Sequence, residues 1–252
     1  LLLIASAMLG MSAGAQTVDI HKADGTTVSY PASEVNYIGF TAKQEGGTAP
    51  AAAVAVDLGL PSGTKWANMN VGAEQPEDYG LYFAWGETVG YGSDTSDGRS
   101  FDWANYTWCN DSYNTQTKYC TDSSYGTVDN KTVLDLEDDA AYVNWGSSWR
   151  MPTITEIKEL LNNTTSEWTT VNGVNGRKFT SKTNGNSIFL PAAGCRYGSE
   201  LRYRASYGRY WSSSLNESDP FSARRLYFYS ESAYPNFIYR FIGFTVRPVL
   251  RN

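Results

Sequence analysis

Histidine is almost absent from this chain, since its 252 residues include one, His21. Because that residue lies near the N-terminus, Ser-His-Asp, Cys-His and histidine-metal sites are excluded from the rest of the sequence. A P-loop, a dinucleotide-binding glycine fingerprint and a zinc-type cysteine spacing are also missing. These absences argue against the enzyme classes that short motifs reveal, and we expect no catalytic residue, no metal site and no cofactor.

Cysteine is scarce as well, with three in the chain: Cys109, Cys120 and Cys195. An odd number leaves at least one thiol without an intrachain partner. Cys109 and Cys120 lie in one loop-like stretch, TWCNDSYNTQTKYC, and could form a disulfide in an oxidising compartment. Since spacing along the chain does not fix the distance between two Cα atoms, both outcomes stay open.

Positive charge is not in excess, because the formal net charge is -6. A surface that neutralises phosphates is basic, so we expect no nucleic-acid partner. Five acidic residues in the middle of the chain offer oxygen ligands for calcium as an alternative to helix capping: Asp129, Asp135, Glu137, Asp138 and Asp139. They lack the spaced Asp and Gly pattern of an EF-hand loop, so capping is the favoured interpretation.

The N-terminal stretch, LLLIASAMLGMSAGA, is an apolar run that ends in the small residues Ala13, Gly14 and Ala15. This A-x-A-type pattern predicts a truncated signal peptide over residues 1–15. A membrane anchor is the weaker interpretation because the run is too short to span a bilayer. The protein is therefore expected to be exported to the cell surface or the extracellular space.

Composition then divides the chain into three parts. Residues 16–40 predict a short β-strand segment around the turn formers Asp24 and Gly25, with Pro31 interrupting it. Residues 41–55 are rich in Gly, Ala and Pro and predict a linker, and residues 56–252 form the main domain. The strand segment could also pair with a neighbouring molecule by strand addition, as a partner in surface assembly.

The main domain predicts an α+β fold of short antiparallel strands with two modest helices. In DLEDDAAYVNWG, Asp138 and Asp139 open a short helix, where carboxylates suit the positive end of the dipole. In MPTITEIKELLNN, Thr153 and Glu156 form a capping box. Four apolar residues share one face of that second helix: Ile154, Ile157, Leu160 and Leu161.

Five separated motifs follow in order: DLGLPSGTKWANMNVGAEQPEDYGLYFAWGET, WGSSWRMPTITEIKELL, GNSIFLPAAG, YWSSSL and GFTVRPV. Over residues 56–252 the sequence resembles exported bacterial proteins of a large paralogous class with a C-type-lectin-like fold, the architecture shared with formylglycine-generating enzymes. Within this group it is similar to the variable proteins of diversity-generating retroelements, whose C-terminal stretch is rewritten by adenine-directed mutagenesis. The resemblance implies a fixed scaffold that carries Trp149, Arg150, Pro152, Trp211, Gly243, Arg247 and Pro248.

The resemblance also implies a variable region, which we place at residues 195–242. Randomising the adenines of Asn codons leaves a pyrimidine third base, and such codons cannot encode Lys, Gln, Glu, Met or Trp. Lysine is absent after Lys182 while Arg and Tyr persist, which fits this rule. The candidate ligand-binding residues all obey it: Tyr197, Arg202, Tyr203, Tyr207, Arg209, Phe221, Arg225, Tyr227, Tyr229, Tyr234, Asn236, Phe237, Tyr239 and Phe241. Five further positions are expected to be diversified: Cys195, Asp219, Ser222, Ile238 and Ile242.

Alternation within LYFYS supports display of the tyrosines. Leu226 and Phe228 are expected to face the core while Tyr227 and Tyr229 face outward. Tyr and Arg also dominate binding hot spots. The alternative is a second aromatic core, which we disfavour because it would bury unpaired arginines at a high cost in free energy.

Together these features predict a non-enzymatic, exported ligand-binding protein, adhesin-like or receptor-like, that recognises a macromolecule such as a protein or a cell-surface glycan. One alternative is an enzyme related to formylglycine-generating or sugar-processing proteins. Cys195 argues against oxidase activity because it falls at a diversified position with no recognisable partner motif. Another alternative is a structural subunit of a surface fibre.

Overall fold

The computed structural model describes residues 17–21, 26–32 and 47–251. The chain divides into two compact units, Leu1–Gln44 and Glu45–Asn252. In the first unit, β1 (Thr17–His21) pairs antiparallel with β2 (Thr27–Pro31). This confirms the strand prediction for these residues, with Pro31 closing β2. The expected signal peptide, the turn formers Asp24 and Gly25, and the start of the linker lie outside the described residues.

The second unit combines short strands with two helices, and its named strands pair antiparallel among the described residues. The α+β class is therefore confirmed. The strands are β3 (Ala55–Asp57), β4 (Lys65–Ala67), β5 (Trp149–Arg150), β6 (Thr164–Val171), β7 (Val174–Ser181), β8 (Ser187–Pro191), β9 (Cys195–Tyr197), β10 (Glu200–Arg202), β11 (Gly208–Leu215), β12 (Ser222–Phe228), β13 (Ala233–Tyr239) and β14 (Val249–Leu250). The helices are α1 (Ala140–Trp145) and α2 (Ile154–Asn163), with single 3-10 turns at Trp103–Asn105 and Leu136–Asp138.

Four small sheets organise this unit. They have the strand orders β3-β4-β14-β5, β6-β7-β8, β11-β12-β13 and β10-β9. In the four-stranded sheet, β14 lies between β4 and β5, so that Val249 pairs with both Trp66 and Arg150. The strand nearest the C-terminus thus joins two strands that come much earlier in the chain.

The start of α2 is capped as the sequence predicts, whereas α1 is capped by Asp139 alone, because the Asp138 carboxylate accepts from Lys118 Nζ and the Tyr119 hydroxyl instead. The Asp139 carboxylate accepts hydrogen bonds from the backbone N–H groups of Ala141 and Tyr142 at the start of α1. In α2, Thr153 and Glu156 form the reciprocal capping box. Arg150 donates two hydrogen bonds to the Glu156 carboxylate, from Nη2 to Oε1 at 2.6 Å and from Nη1 to Oε2 at 2.8 Å. This bidentate pair connects the start of α2 to β5.

The β11-β12-β13 sheet lies between two hydrophobic cores. Trp211 and Ala223 belong to one core, while Leu226 and Phe228 belong to the other. Leu226 and Phe228 are fully buried, and Tyr227 is half-buried on the opposite side of β12. The alternation predicted for LYFYS is confirmed. Tyr227 shares its side of the sheet with Trp211 and Ala223, so that side is partly core and partly accessible.

Arginines act as internal cross-links in the scaffold. Arg247 is fully buried and donates to Asn70 Oδ1, the Ala67 carbonyl and the Phe189 carbonyl at 2.8 to 3.1 Å. Burial lowers the pKa of its guanidinium to about 10. Arg240 is likewise buried and fully hydrogen-bonded. These two side chains hold together segments that are distant in sequence, which fits the scaffold role expected for Arg247.

The cysteines and the acidic cluster have local structural roles. Cys109, Cys120 and Cys195 are buried free thiols, so the disulfide left open by the sequence does not form. The Asp129 carboxylate accepts three backbone N–H groups, and Asp135 pairs with Lys118 and Lys131. Among the described residues, no group of three or more His, Cys, Asp or Glu could hold a metal ion.

The end of the expected linker belongs to the second unit. The backbone N–H of Gly47 donates to the Val143 carbonyl at 2.7 Å, and that of Ala49 donates to the Trp145 carbonyl at 3.2 Å. These bonds tie the segment to α1. Within the part of the chain that the structure describes, no helix has the length and apolar character needed to cross a membrane.

Candidate ligand-binding face

Strand register brings arginine and tyrosine side chains together on one surface of the β11-β12-β13 sheet. Tyr227 on β12 is opposite Arg209 on β11 and Tyr234 on β13. The next row on the same surface contains Arg225 and Asn236. Directly opposed residues of antiparallel strands project to the same side, which makes these five residues neighbours.

Tyrosine rings extend this surface beyond the strands. Tyr207 stacks on Tyr227 with ring centroids 5.7 Å apart, and Tyr203 meets Tyr207 edge-on at 5.4 Å. Tyr229 lies about as close to both Tyr207 and Tyr227, and Tyr234 contacts Tyr227 at 5.3 Å. We call this group the tyrosine-arginine patch: Tyr203, Tyr207, Arg209, Arg225, Tyr227, Tyr229 and Tyr234.

A tight turn fixes the rim of the patch. Tyr203 and Ala205 have φ angles of 61° and 64°, in the left-handed region that is uncommon for residues other than glycine. The surrounding backbone holds them there, because Ala205 N–H donates to the Ala192 carbonyl and Tyr207 N–H donates to the Tyr203 carbonyl. Tyr203 remains 53% exposed. Its ring is therefore presented to solvent from a constrained backbone.

Arg209 is half-buried between the thiol of Cys195 and the tyrosine rings. Its Nη1 donates to Cys195 Sγ at 2.8 Å, and its guanidinium lies 4.7 Å from the Tyr203 ring centroid. Its Nε is buried and has no hydrogen-bond partner in the part of the chain that the structure describes. Burial raises the pKa of the Cys195 thiol, an effect that the charge of Arg209 opposes.

Arg225 lies deeper, with 6% of its surface exposed. Its guanidinium is 4.8 Å from the Tyr227 ring and 5.1 Å from the Phe244 ring. Nε and Nη1 are both buried without a hydrogen-bond partner among the described residues. Burial, and to a smaller extent the nearby charge of Arg209, lower the pKa of this guanidinium to about 10.

The expectation that all candidate residues are displayed is wrong for two of them. Arg225 is buried, and contacts with two aromatic faces partly replace the water that it loses. Phe241 is 4% exposed because it packs against Trp103 at 4.8 Å and Tyr239 at 5.7 Å. Three further positions expected to be diversified are also buried: Cys195, Ser222 and Ile242.

The remaining candidates do not join the patch. Tyr197 and Tyr239 each contact Phe241, and Phe221 contacts Tyr239 at 5.9 Å, so these four residues form a second aromatic group. Arg202 lies over the Tyr197 ring at 4.6 Å and pairs with Glu200. By alternation, Phe237 projects from β13 on the side opposite to Tyr234, where Arg224 lies over its ring at 5.4 Å.

The sequence did not reveal the residues that pack against the tyrosine-arginine patch and the second aromatic group from other parts of the chain. Phe244 lies against both patch arginines, and Trp103 lies against Tyr239 and Phe241. Tyr113 and Tyr125 flank Phe221. Trp103, Tyr113 and Tyr125 come from irregular segments before α1, where no alternation or helical period marks which side a residue faces.

A family model described as a domain of unknown function (DUF8237) matches residues 142–249. The match includes β5 to β13, α2 and every residue of the tyrosine-arginine patch. No curated protein and no solved structure matches the chain.

Proposed function

We propose that this protein is an exported ligand-binding protein that displays a diversified Tyr/Arg surface on a fixed C-type-lectin-like scaffold, and that its ligand is a macromolecule. One observation carries the proposal: five tyrosines and two arginines from β11, β12, β13 and the turns before β11 and after β12 converge on one side of a sheet whose other side is core. This arrangement suits adhesion or reception rather than bond chemistry.

The patch has the composition and support of a recognition surface. Tyrosine supplies rigid, amphipathic contact area with little rotamer entropy to lose, and arginine supplies a planar fork of donors. Strands hold four of the seven side chains, Arg209, Arg225, Tyr227 and Tyr234, and strands position side chains more precisely than a free loop would. A ligand could therefore be held by complementarity between fixed surfaces.

The oxidase alternative gains little from the chemistry of Cys195. A reactive cysteine needs a thiolate and access to solvent. The Cys195 side chain is 1% exposed, and burial raises the pKa of its thiol. Neither property favours a nucleophilic or redox role. Surface assembly through residues 17–40 stays a prediction.

The gene itself tests the retroelement part of the proposal. We expect pyrimidine-ending codons at the candidate and diversified positions, and a reverse transcriptase gene with a template repeat nearby. Among close relatives these positions should differ, whereas Trp211, Gly243 and Arg247 should not. Purine-ending codons at several of the positions would refute diversification by this mechanism.

A further inference from the structure

The two arginines of the tyrosine-arginine patch have no acidic partner. Ion pairs elsewhere in the described residues join Arg150 to Glu156 and Arg196 to Asp97, but neither Arg209 nor Arg225 takes part in one. Three nitrogens of the pair, Arg209 Nε and Arg225 Nε and Nη1, are buried and have no hydrogen-bond partner within the described ranges. Buried charged groups usually have hydrogen-bond partners, so three unpartnered nitrogens in two adjacent arginines are unusual.

Like charge makes the arrangement less favourable still. The charge of Arg209 disfavours the charged form of Arg225, and the other groups acting on Arg225 include the thiol of Cys195 and the hydroxyls of Tyr227 and Tyr234. Burial raises the pKa of the Cys195 thiol and of the Tyr227 hydroxyl, so neither group supplies a negative charge at pH 7. The free protein therefore holds two cations together without compensation, and an anion placed between them would relieve both the repulsion and the loss of hydration.

The surroundings of the pair resemble the centre of a protein interface. Arg225 and Phe244 form a buried base, and the rings of Tyr203, Tyr207 and Tyr234 lie around it with half or partial exposure. A buried polar centre within a rim of aromatic side chains that exclude water is the usual anatomy of a protein-protein hot spot. Two cations on a chain of net charge -6 are too few for a polyphosphate ligand.

We propose that Arg209 and Arg225 together receive one carboxylate, supplied by an Asp or Glu side chain of a protein ligand. This inference rests on the ligand-binding function proposed above and names the chemistry of what binds. A carboxylate fits because its two oxygens match the paired N–H groups of a guanidinium. The hydroxyl groups of the patch tyrosines are further hydrogen-bond donors.

The first experiment uses acetate as the probe and melting temperature as the readout. Replacing chloride by acetate at about 100 mM and constant ionic strength should raise the melting temperature of the wild type by about 2 °C. Arg209→Met and Arg225→Met should each abolish the rise. Arg224→Met is the matched control, since Arg224 is the preceding residue on β12 and projects from the other side of the strand.

Each outcome of that experiment decides whether Arg209 and Arg225 bind a carboxylate. A rise that persists in Arg209→Met or in Arg225→Met would overturn the proposal, as would a wild type that does not respond. Should Arg225→Met fail to fold, the comparison of Arg209→Met with Arg224→Met decides alone. The result is independent of the codon test. Acetate binding together with purine-ending codons would refute only the diversification. Pyrimidine-ending codons without acetate binding would refute only the carboxylate site at Arg209 and Arg225.

A second experiment separates a protein ligand from a glycan. In a titration followed by nuclear magnetic resonance, N-acetylglutamate methylamide should bind and its glutamine counterpart should not. Methyl glucuronide carries the same carboxylate on a sugar ring and should bind no more tightly than the glutamate compound. A preference of about ten-fold or more for the glucuronide would overturn the assignment to a protein carboxylate.

Discussion

Arg225 and Arg240 are both buried, but they differ in what surrounds the guanidinium. Arg240 donates to the Tyr106 hydroxyl and to the carbonyls of Lys118, Tyr119 and Pro220. Arg225 has aromatic faces near it and no such acceptor. The first residue therefore stabilises the fold, whereas the second adds a cost that its aromatic contacts offset only in part.

Substitution to methionine distinguishes these roles. Arg240→Met should lower the free energy of unfolding by about 1 to 3 kcal/mol or more, because the acceptors left behind are buried and unpaired. Arg225→Met should leave it unchanged or raise it, because an unpaired buried charge is replaced by an apolar chain of similar length. Urea denaturation of both variants measures the difference, and equal losses would contradict this account.

Asp139 gives the stability a pH dependence of its own. Burial raises the pKa of its carboxyl to about 6, although three backbone N–H groups oppose the shift. In the unfolded chain the carboxyl has an ordinary pKa near 4, so the folded state holds the proton more tightly. The contribution of Asp139 to stability is then fully present below about pH 4 and is lost as the pH rises to about 6.

The test compares the wild type with Asp139→Asn at two pH values. The amide does not titrate, so other acids cancel in the difference between the two proteins. The wild type should gain stability relative to Asp139→Asn when the pH falls from about 7 to about 4.5. Urea melts at both pH values measure this gain, and a constant difference would show that the folded-state pKa is ordinary.

Successive side chains of β12 alternate between the core and the accessible side of the sheet. Leu226 and Phe228 are fully buried, while Tyr227 is half-buried and Tyr234 and Tyr239 on the next strand are exposed. Changing aromatic residues on the exposed positions should therefore affect binding far more than folding. The same changes at the buried positions should do the reverse.

A five-fold variant tests this division: Tyr227, Tyr229, Tyr234, Phe237 and Tyr239 changed together to Ser. Surface substitutions usually cost within about 0.5 kcal/mol each, so the variant should stay folded and unfold cooperatively. The control is Phe228→Ala, which should cost about 3 to 5 kcal/mol because it empties a packed site. A denaturant melt decides, and an unfolded five-fold variant would mean that these rings are core.

Local sequence patterns predicted the secondary-structure elements well, but they did not predict which residues from distant segments pack against those elements. The Thr153-Glu156 box and the LYFYS alternation involve residues close in sequence, so the signal was complete. The burial of Arg225 and Phe241 depends on Phe244 and Trp103, which approach from other segments. Burying an unpaired arginine is costly, yet Arg225 is buried at the candidate site without a hydrogen-bond partner for Nε or Nη1 among the described residues.

The second unit should fold without the first. Both hydrophobic cores consist of residues from Ala49 onward, and residues 47–49 are hydrogen-bonded to α1. Removing residues 1–44 should therefore leave the melting temperature of the main transition within a few degrees of that of the longer chain. Differential scanning calorimetry measures it, and loss of a cooperative transition would show that the hairpin β1-β2 belongs to the core. Removing a few residues more, through Ala49, should be destabilising.

The position of β14 also governs when the fold can form. Strands β4 and β5 have no pairing with each other, and Val249 pairs with both of them. During synthesis the four-stranded sheet cannot close before this strand has been made. Contacts between such distant segments slow folding and expose the unfinished chain to aggregation. We therefore expect the growing chain to be most prone to aggregation before β14 has been made.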